Sequence, residues 1–125
     1  MMRIPIAIVM LCLPMAAMGE TYMCRTEVSS VKSDGRDTVI DPEVRPDYVL
    51  DSEKGIRAFS KDMEFAYRGS CQRTEGLFIC SNEDEERGIS EQIILTLEAG
   101  VFTRASQNYA GSLLVGSGWG RCIEI

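Results

Sequence analysis

The chain contains no histidine. That absence removes Ser-His-Asp and Cys-His nucleophile arrangements, and it leaves cysteine as the only soft ligand for a zinc site. There is no phosphate-cradling glycine loop either. The GSGWG stretch at 116–120 lacks both the spacing and the following helix that such a loop needs. Basic residues are the scarcer charge, with 13 Lys plus Arg against 19 Asp plus Glu and a formal charge of −6. An acidic surface repels nucleic-acid phosphates and anionic lipid headgroups, so neither is an expected partner. No cofactor is expected, and a basic protein is the partner that the charge would suit.

A long membrane-spanning run is also missing. The apolar stretch from Ile4 to Met15 covers about 12 residues, short of the roughly 20 that a spanning helix needs. Arg3 precedes it and Ala17-Met18-Gly19 follows it. A charged start, a short apolar core and a small-x-small close make up a secretory leader. Cleavage is expected before Glu20, leaving 20–125 as a single domain. A lipid anchor on Cys12 would want a small residue just before it, and Leu11 stands there. The expected location is the periplasm or the extracellular space, with no membrane attachment after cleavage.

Cleavage would leave Cys24, Cys71, Cys80 and Cys122. An even count in a small exported domain reads as a disulfide framework. The stretch CQRTEGLFIC at 71–80 chooses among the pairings. With Glu75-Gly76 as a two-residue turn, Thr74 faces Leu77, Arg73 faces Phe78, Gln72 faces Ile79 and Cys71 faces Cys80. That last pair falls at a non-hydrogen-bonded position, where side chains approach most closely. A metal site or redox pair would want CxxC spacing. Cys24 and Cys122 then remain, and joining them ties the two ends of the mature chain together.

The rest reads as short strands. Tyr22, Cys24, Thr26 and Val28 share one face of a first strand by their period of two. The stretch 29–47, rich in Ser, Asp, Gly and Pro, reads mostly as loop, with a short strand at Thr38 to Ile40. YVLDSEKGIRAFS reads as strand, turn and strand, and Met63 to Tyr67 leads into the 71–80 hairpin. ISEQIILTLEAGVFTRASQNY reads as a hairpin with loop Glu98-Ala99-Gly100, so that Leu97 faces Val101, Leu95 faces Thr103 and Ile93 faces Ala105. A helix over 85–97 competes with it, and the Ile-Ile-Leu-Thr cluster favours the strand. Ser112 to Val115 is a further strand. Trp119, flanked by glycines, is expected to plug the core. The fold class is therefore all-β: a small antiparallel meander forming a barrel or a sandwich, tied by two disulfides.

Carboxylates are plentiful but carry no motif. Asp34, Asp37 and Asp41 lie in apparent loops, as do Glu83, Asp84, Glu85 and Glu86, and a catalytic carboxylate needs a pocket that shifts its pKa. The order NEDEE does not match a calcium loop. The acidic stretch Asn82, Glu83, Asp84, Glu85, Glu86, Arg87 is the candidate partner-binding loop. The pattern of leader, early Cys, strand-turn-Gly units and closing Gly-Arg-Cys resembles small exported β-rich proteins of proteobacteria. It is carried by Tyr22, Cys24, Leu97, Gly100, Gly120 and Cys122. That group implies no activity to transfer. The expected function is a non-catalytic binding module, as an inhibitor of a basic hydrolase or an accessory protein of the envelope. The alternative is a structural domain or a small carboxylate-dependent hydrolase.

The leader reading has a direct check. Mass spectrometry of the fractionated protein should find Glu20 as the N-terminal residue. Retention of Met1, or a lipid mass on Cys12, contradicts it.

Overall fold

The computed structural model describes residues 19–109 and 111–125. Apart from Gly19, the expected leader lies outside these residues. The described chain forms one antiparallel sheet of ten strands. These are β1 (Thr21–Ser33), β2 (Arg36–Val39), β3 (Asp47–Asp51), β4 (Gly55–Ser60) and β5 (Met63–Glu64), then β6 (Ser70–Thr74), β7 (Leu77–Asp84), β8 (Ile89–Thr96), β9 (Val101–Tyr109) and β10 (Leu113–Glu124). Their order across the sheet is β5-β4-β3-β1-β10-β9-β8-β7-β6, with β2 paired to the far half of β1. The sheet curls into a half-barrel rather than splitting into the two layers of a sandwich. Its ends meet where Ile56 of β4 and Arg68, just ahead of β6, exchange both backbone hydrogen bonds at 2.8 Å.

The concave side holds the core. Tyr22, Tyr48, Leu50, Ile56, Phe78, Ile93, Leu95 and Phe102 are buried there with both disulfides. Tyr22 packs on Phe78 with ring centroids 4.9 Å apart, and Tyr48 meets Phe102 edge-on at 6.0 Å. Such pairs contribute roughly 0.5–1.5 kcal/mol beyond the area they bury. The interior is filled by side chains at this level.

The 71–80 hairpin has the expected register, from Thr74 opposite Leu77 out to Cys71 opposite Cys80. Glu75 and Gly76 both take positive φ, 39° and 88°. Two left-handed residues make the tight turn whose twist matches the flanking strands. Cys24 likewise lies directly opposite Cys122. Both pairs have Cα atoms 4.0 Å apart.

Four expectations are corrected. First, 29–47 is not mostly loop. β1 runs on to Ser33, and Asp34-Gly35 is a hairpin turn into β2, an Asp-Gly signal that the density of polar residues disguised. Second, Val28 does not share the inward face. A bulge between Thr26 and Val28 adds one residue to β1, which turns Val28 outward and Ser29 inward. The break is held by the Thr26 N–H donating to Asp47 Oδ1 and the Thr26 hydroxyl donating to the Pro46 carbonyl.

Third, the β8–β9 loop has four residues, not three. The Gly100 N–H donates to the Thr96 carbonyl, and Thr96 pairs with Val101. One extra residue moves every partner on β9 by one and exchanges its faces. Leu95 faces Phe102 and Ile93 faces Arg104, while Thr103 and Ala105 point outward. Fourth, Trp119 is no core plug. It is 39 % exposed on the convex side, opposite Val28 and Thr103. The glycines around it take the concave side instead. A Cβ on Gly120 would lie 2.0 Å from the Arg25 carbonyl oxygen and 2.6 Å from the Phe102 ring, so only glycine lets β1 and Phe102 approach so closely.

The two staples should differ in worth. Cys24–Cys122 joins residues 98 apart and Cys71–Cys80 residues 9 apart. Loop-closure entropy then favours the first by about 2 kcal/mol. All four cysteines are buried, so paired Cys→Ala variants lose comparable packing. Urea unfolding should find Cys24→Ala with Cys122→Ala the less stable pair. The reverse order would contradict the entropic account.

Candidate functional site

The interior is apolar through its middle and changes character toward the end where Arg68 bridges to β4. Glu91 stands on β8 in phase with Ile93 and Leu95, so the pleat turns it inward. It is 3 % exposed. Arg104 on β9 is in phase with Phe102 and lies diagonally across from Glu91, whose direct partner is Ser106. Diagonal neighbours are within reach of long side chains. Arg68 comes from the far side of the curl, fixed by its two backbone hydrogen bonds to Ile56. Gly69 follows it at φ 68°, so close to β7 that a Cβ there would sit 2.2 Å from the Ser81 carbonyl oxygen.

The three side chains form one ionic group. Arg68 grips the carboxylate with both prongs, Nε to Oε1 at 2.8 Å and Nη2 to Oε2 at 2.9 Å. Arg104 adds Nε and Nη2 to Oε2 at 2.8 and 2.7 Å. Its guanidinium also lies 5.5 Å from the centre of the buried Tyr48 ring, within cation–π range. Burial by itself would raise the Glu91 carboxyl. The hydrogen bonds from Arg68 and the charges of Arg104 and Arg68 outweigh it and hold the group below the ordinary carboxylate range. The hydrogen bond to Glu91 pushes Arg68 the other way, upward. Burial pushes the Tyr48 phenol up. Both Glu91 oxygens are engaged by guanidinium, so the carboxylate is not available as a general base.

Above this group the interior opens as a cleft of about 430 Å³. Phe65, Tyr67 and Ile89 supply apolar walls, and Asn82, Arg87 and Asn108 supply polar ones. A second, shallower depression of about 310 Å³ lies alongside, between Glu83, Asp84 and Glu85 and the apolar surfaces of Ile89, Tyr109 and Leu113.

The expected partner-binding loop is thus divided. Asn82, Glu83 and Asp84 are not loop but the end of β7, and only Glu85 to Gly88 form the turn. β8 pairs with β7 as far as Asp84, which draws those residues into the ladder. Asn82 and Arg87 line the cleft, Glu83, Asp84 and Glu85 line the depression, and Glu86 stands exposed at the tip. Asp34, Asp37 and Asp41 lie on the far hairpin and its exit, outside both hollows. Glu91 and Arg104 went unnoticed in the sequence, although charges standing in the inward phase of apolar strands were a usable signal. Reading the loop as three residues concealed it, because it placed Ala105 opposite Ile93.

No family model, curated protein or solved structure matches the chain. No helix among the described residues is long and apolar enough to cross a membrane. The two disulfides call for an oxidising compartment.

The ionic group makes stability pH-dependent in a defined direction. The folded Glu91 pKa lies below its unfolded value. Its contribution is therefore full above the unfolded value of about 4.3 and declines as pH falls below it. Asp51 is shifted the same way, by its hydrogen bonds from Thr21, Glu53 and Lys54 against the opposing effect of burial, so the informative quantity is a difference between variants. Removing one member of a buried ion pair costs about 3–5 kcal/mol. Glu91→Gln should lose about that much at pH 7 and less at pH 3, by up to about 1.8 kcal/mol. Urea titrations at the two pH values check this, and an equal loss at both would contradict it.

Proposed function

We propose that the protein is an exported, non-catalytic binding module that docks a basic partner through its acidic β7–β8 end. The partner chemistry fits a cationic hydrolase, which the module would inhibit, or a basic component of an envelope assembly. The observation that carries this reading is the depression at that end. Glu83 and Glu85 line it with Asp84, whose carboxylate is engaged by Arg87, and with Tyr109 and Leu113. The apolar pair is well exposed, at 63 % and 46 %. A lysine or arginine consists of an apolar stem and a charged head, and it needs these two surfaces side by side.

Several features support the reading. The leader-like start and the disulfides agree with export through a secretory route into the periplasm or beyond. The formal charge of −6 favours encounter with cationic partners and disfavours nucleic acid. The likeness to small exported β-rich proteins of proteobacteria belongs with this account. A non-catalytic role agrees with the missing histidine and with the locked state of Glu91.

A basic lysozyme is a practical probe. The mature protein should retain it on a column at roughly physiological ionic strength, where longer-range attractions are screened beyond about 8 Å, and should lower its activity. Replacing Glu83, Glu85 and Glu86 by Gln should weaken retention at least tenfold without changing the unfolding midpoint. Equal retention by the triple variant would place binding elsewhere on the surface.

A further inference from the structure

The cleft above Glu91 is chemically distinct from the acidic depression. We infer that it is a binding site for a small organic monocarboxylate, whose charge sits between Arg68 and Arg104 and whose apolar body lies against Phe65 and Tyr67.

The charge count is the first argument. Two guanidinium groups share one carboxylate, so the ionic group at the floor of the cleft keeps one uncompensated positive charge. Arg87 at the rim is paired with Asp84, its Nε 3.7 Å from Oδ2, and so leaves that count unchanged. The side chains of Arg68 and Arg104 are 30 % and 19 % exposed, and that of Glu91 is 2 % exposed. The positive charge thus faces the cleft while the negative charge lies beneath it. In a partly buried site such an imbalance is costly unless an anion completes it.

Donor geometry is the second argument. Glu91 occupies Nε and Nη2 of each arginine. Nη1 of each makes no hydrogen bond to any described residue. Each guanidinium is already oriented by Glu91 and Arg104 is also held over Tyr48, so little side-chain freedom remains to be lost on binding. Planar forks fixed in this way suit a carboxylate.

The space itself suits such a ligand. Its volume of about 430 Å³ lies within the range of small-molecule sites. The walls combine Phe65, 46 % exposed, with the Tyr67 ring and Ile89, and Asn82 and Asn108 stand beside them as amide partners. A bare inorganic anion would leave those apolar walls in water. An aromatic or branched aliphatic acid would cover them.

Backbone and arginine side-chain NMR on the intact mature protein tests this with benzoate, benzamide and inorganic phosphate at pH 7. Benzoate should bind with a dissociation constant on the order of 1 mM, in keeping with its few heavy atoms. Its shifts should centre on Phe65 to Arg68, Glu91 and Arg104. Benzamide, which has the same shape but no charge, should bind at least tenfold more weakly, and phosphate should also be weaker than benzoate. Asn108→Trp fills the cleft while leaving the three charged residues in place and should abolish the benzoate shifts. Absence of benzoate shifts, equal binding of benzamide, tighter binding of phosphate, or unchanged benzoate binding in a folded Asn108→Trp variant would each overturn the proposal. Should that variant fail to fold, the three wild-type titrations decide the matter.

Discussion

The pairing of the first and last strands is the contact on which the sheet depends. β1 and β10 lie side by side at its centre for almost their full lengths, from Tyr22 opposite Glu124 to Ser33 opposite Leu114. Every other strand hangs from one of them. β3, β4 and β5 extend the sheet from β1, and β9, β8, β7 and β6 extend it from β10. The Ile56–Arg68 bridge then joins one wing to the start of the other, whereas β1 and β10 are separated by most of the described chain. Contacts this far apart in sequence carry a large loop-closure cost and slow folding. The Cys24–Cys122 bridge bears on that cost directly, because it covalently joins the two central strands.

The buried ionic group depends on the same closure. Glu91 and Arg104 belong to one wing, while Arg68 is held in place by β4 of the other. A buried carboxylate with one arginine would be a costly arrangement with modest return. Here the second arginine fixes the geometry further and leaves the group net positive. An apolar trio could fill the same volume without that charge, so stability alone does not account for the choice of residues. The charge is turned toward an open cleft with aromatic walls, while the carboxylates of the β7–β8 end face outward. The two hollows share Ile89 and Gln107 and differ in sign.

Local signals carried well wherever the deciding interaction was itself local. The Glu75-Gly76 turn determined the register of its hairpin and so the first disulfide, because two adjacent left-handed residues admit essentially one hairpin geometry. The strand at 89–96 follows from another local signal, the Ile-Ile-Leu-Thr run, whose side chains suit a pleated surface better than a helix. The β8–β9 hairpin failed by a single residue. Gly100 takes positive φ, as a three-residue loop requires, but a four-residue loop requires it too, and only the Thr96–Gly100 hydrogen bond distinguishes them. That one residue exchanged the faces of β9 and hid Arg104. The bulge after Thr26 is a similar case. It depends on Asp47 and Pro46, some twenty residues away, and nothing in the local period of β1 announces it.

The sequence by itself determined the all-β class, the pairing of four cysteines, the Glu75-Gly76 turn and the acidic balance. Each of these follows from nearest-neighbour conformational preference or from a simple count. Tertiary structure alone decided the curl of the sheet, the outward position of Trp119 and the meeting of Arg68 with Glu91 and Arg104. The physical reason is distance along the chain. Whether a tryptophan lies inside is settled by what its neighbours need, and here the Arg25 carbonyl and the Phe102 ring leave Gly120 no room for a side chain. Whether an inward charge is a fault or a site is settled by the partner that the fold brings to it, and Arg68 arrives only when the two ends of the sheet meet.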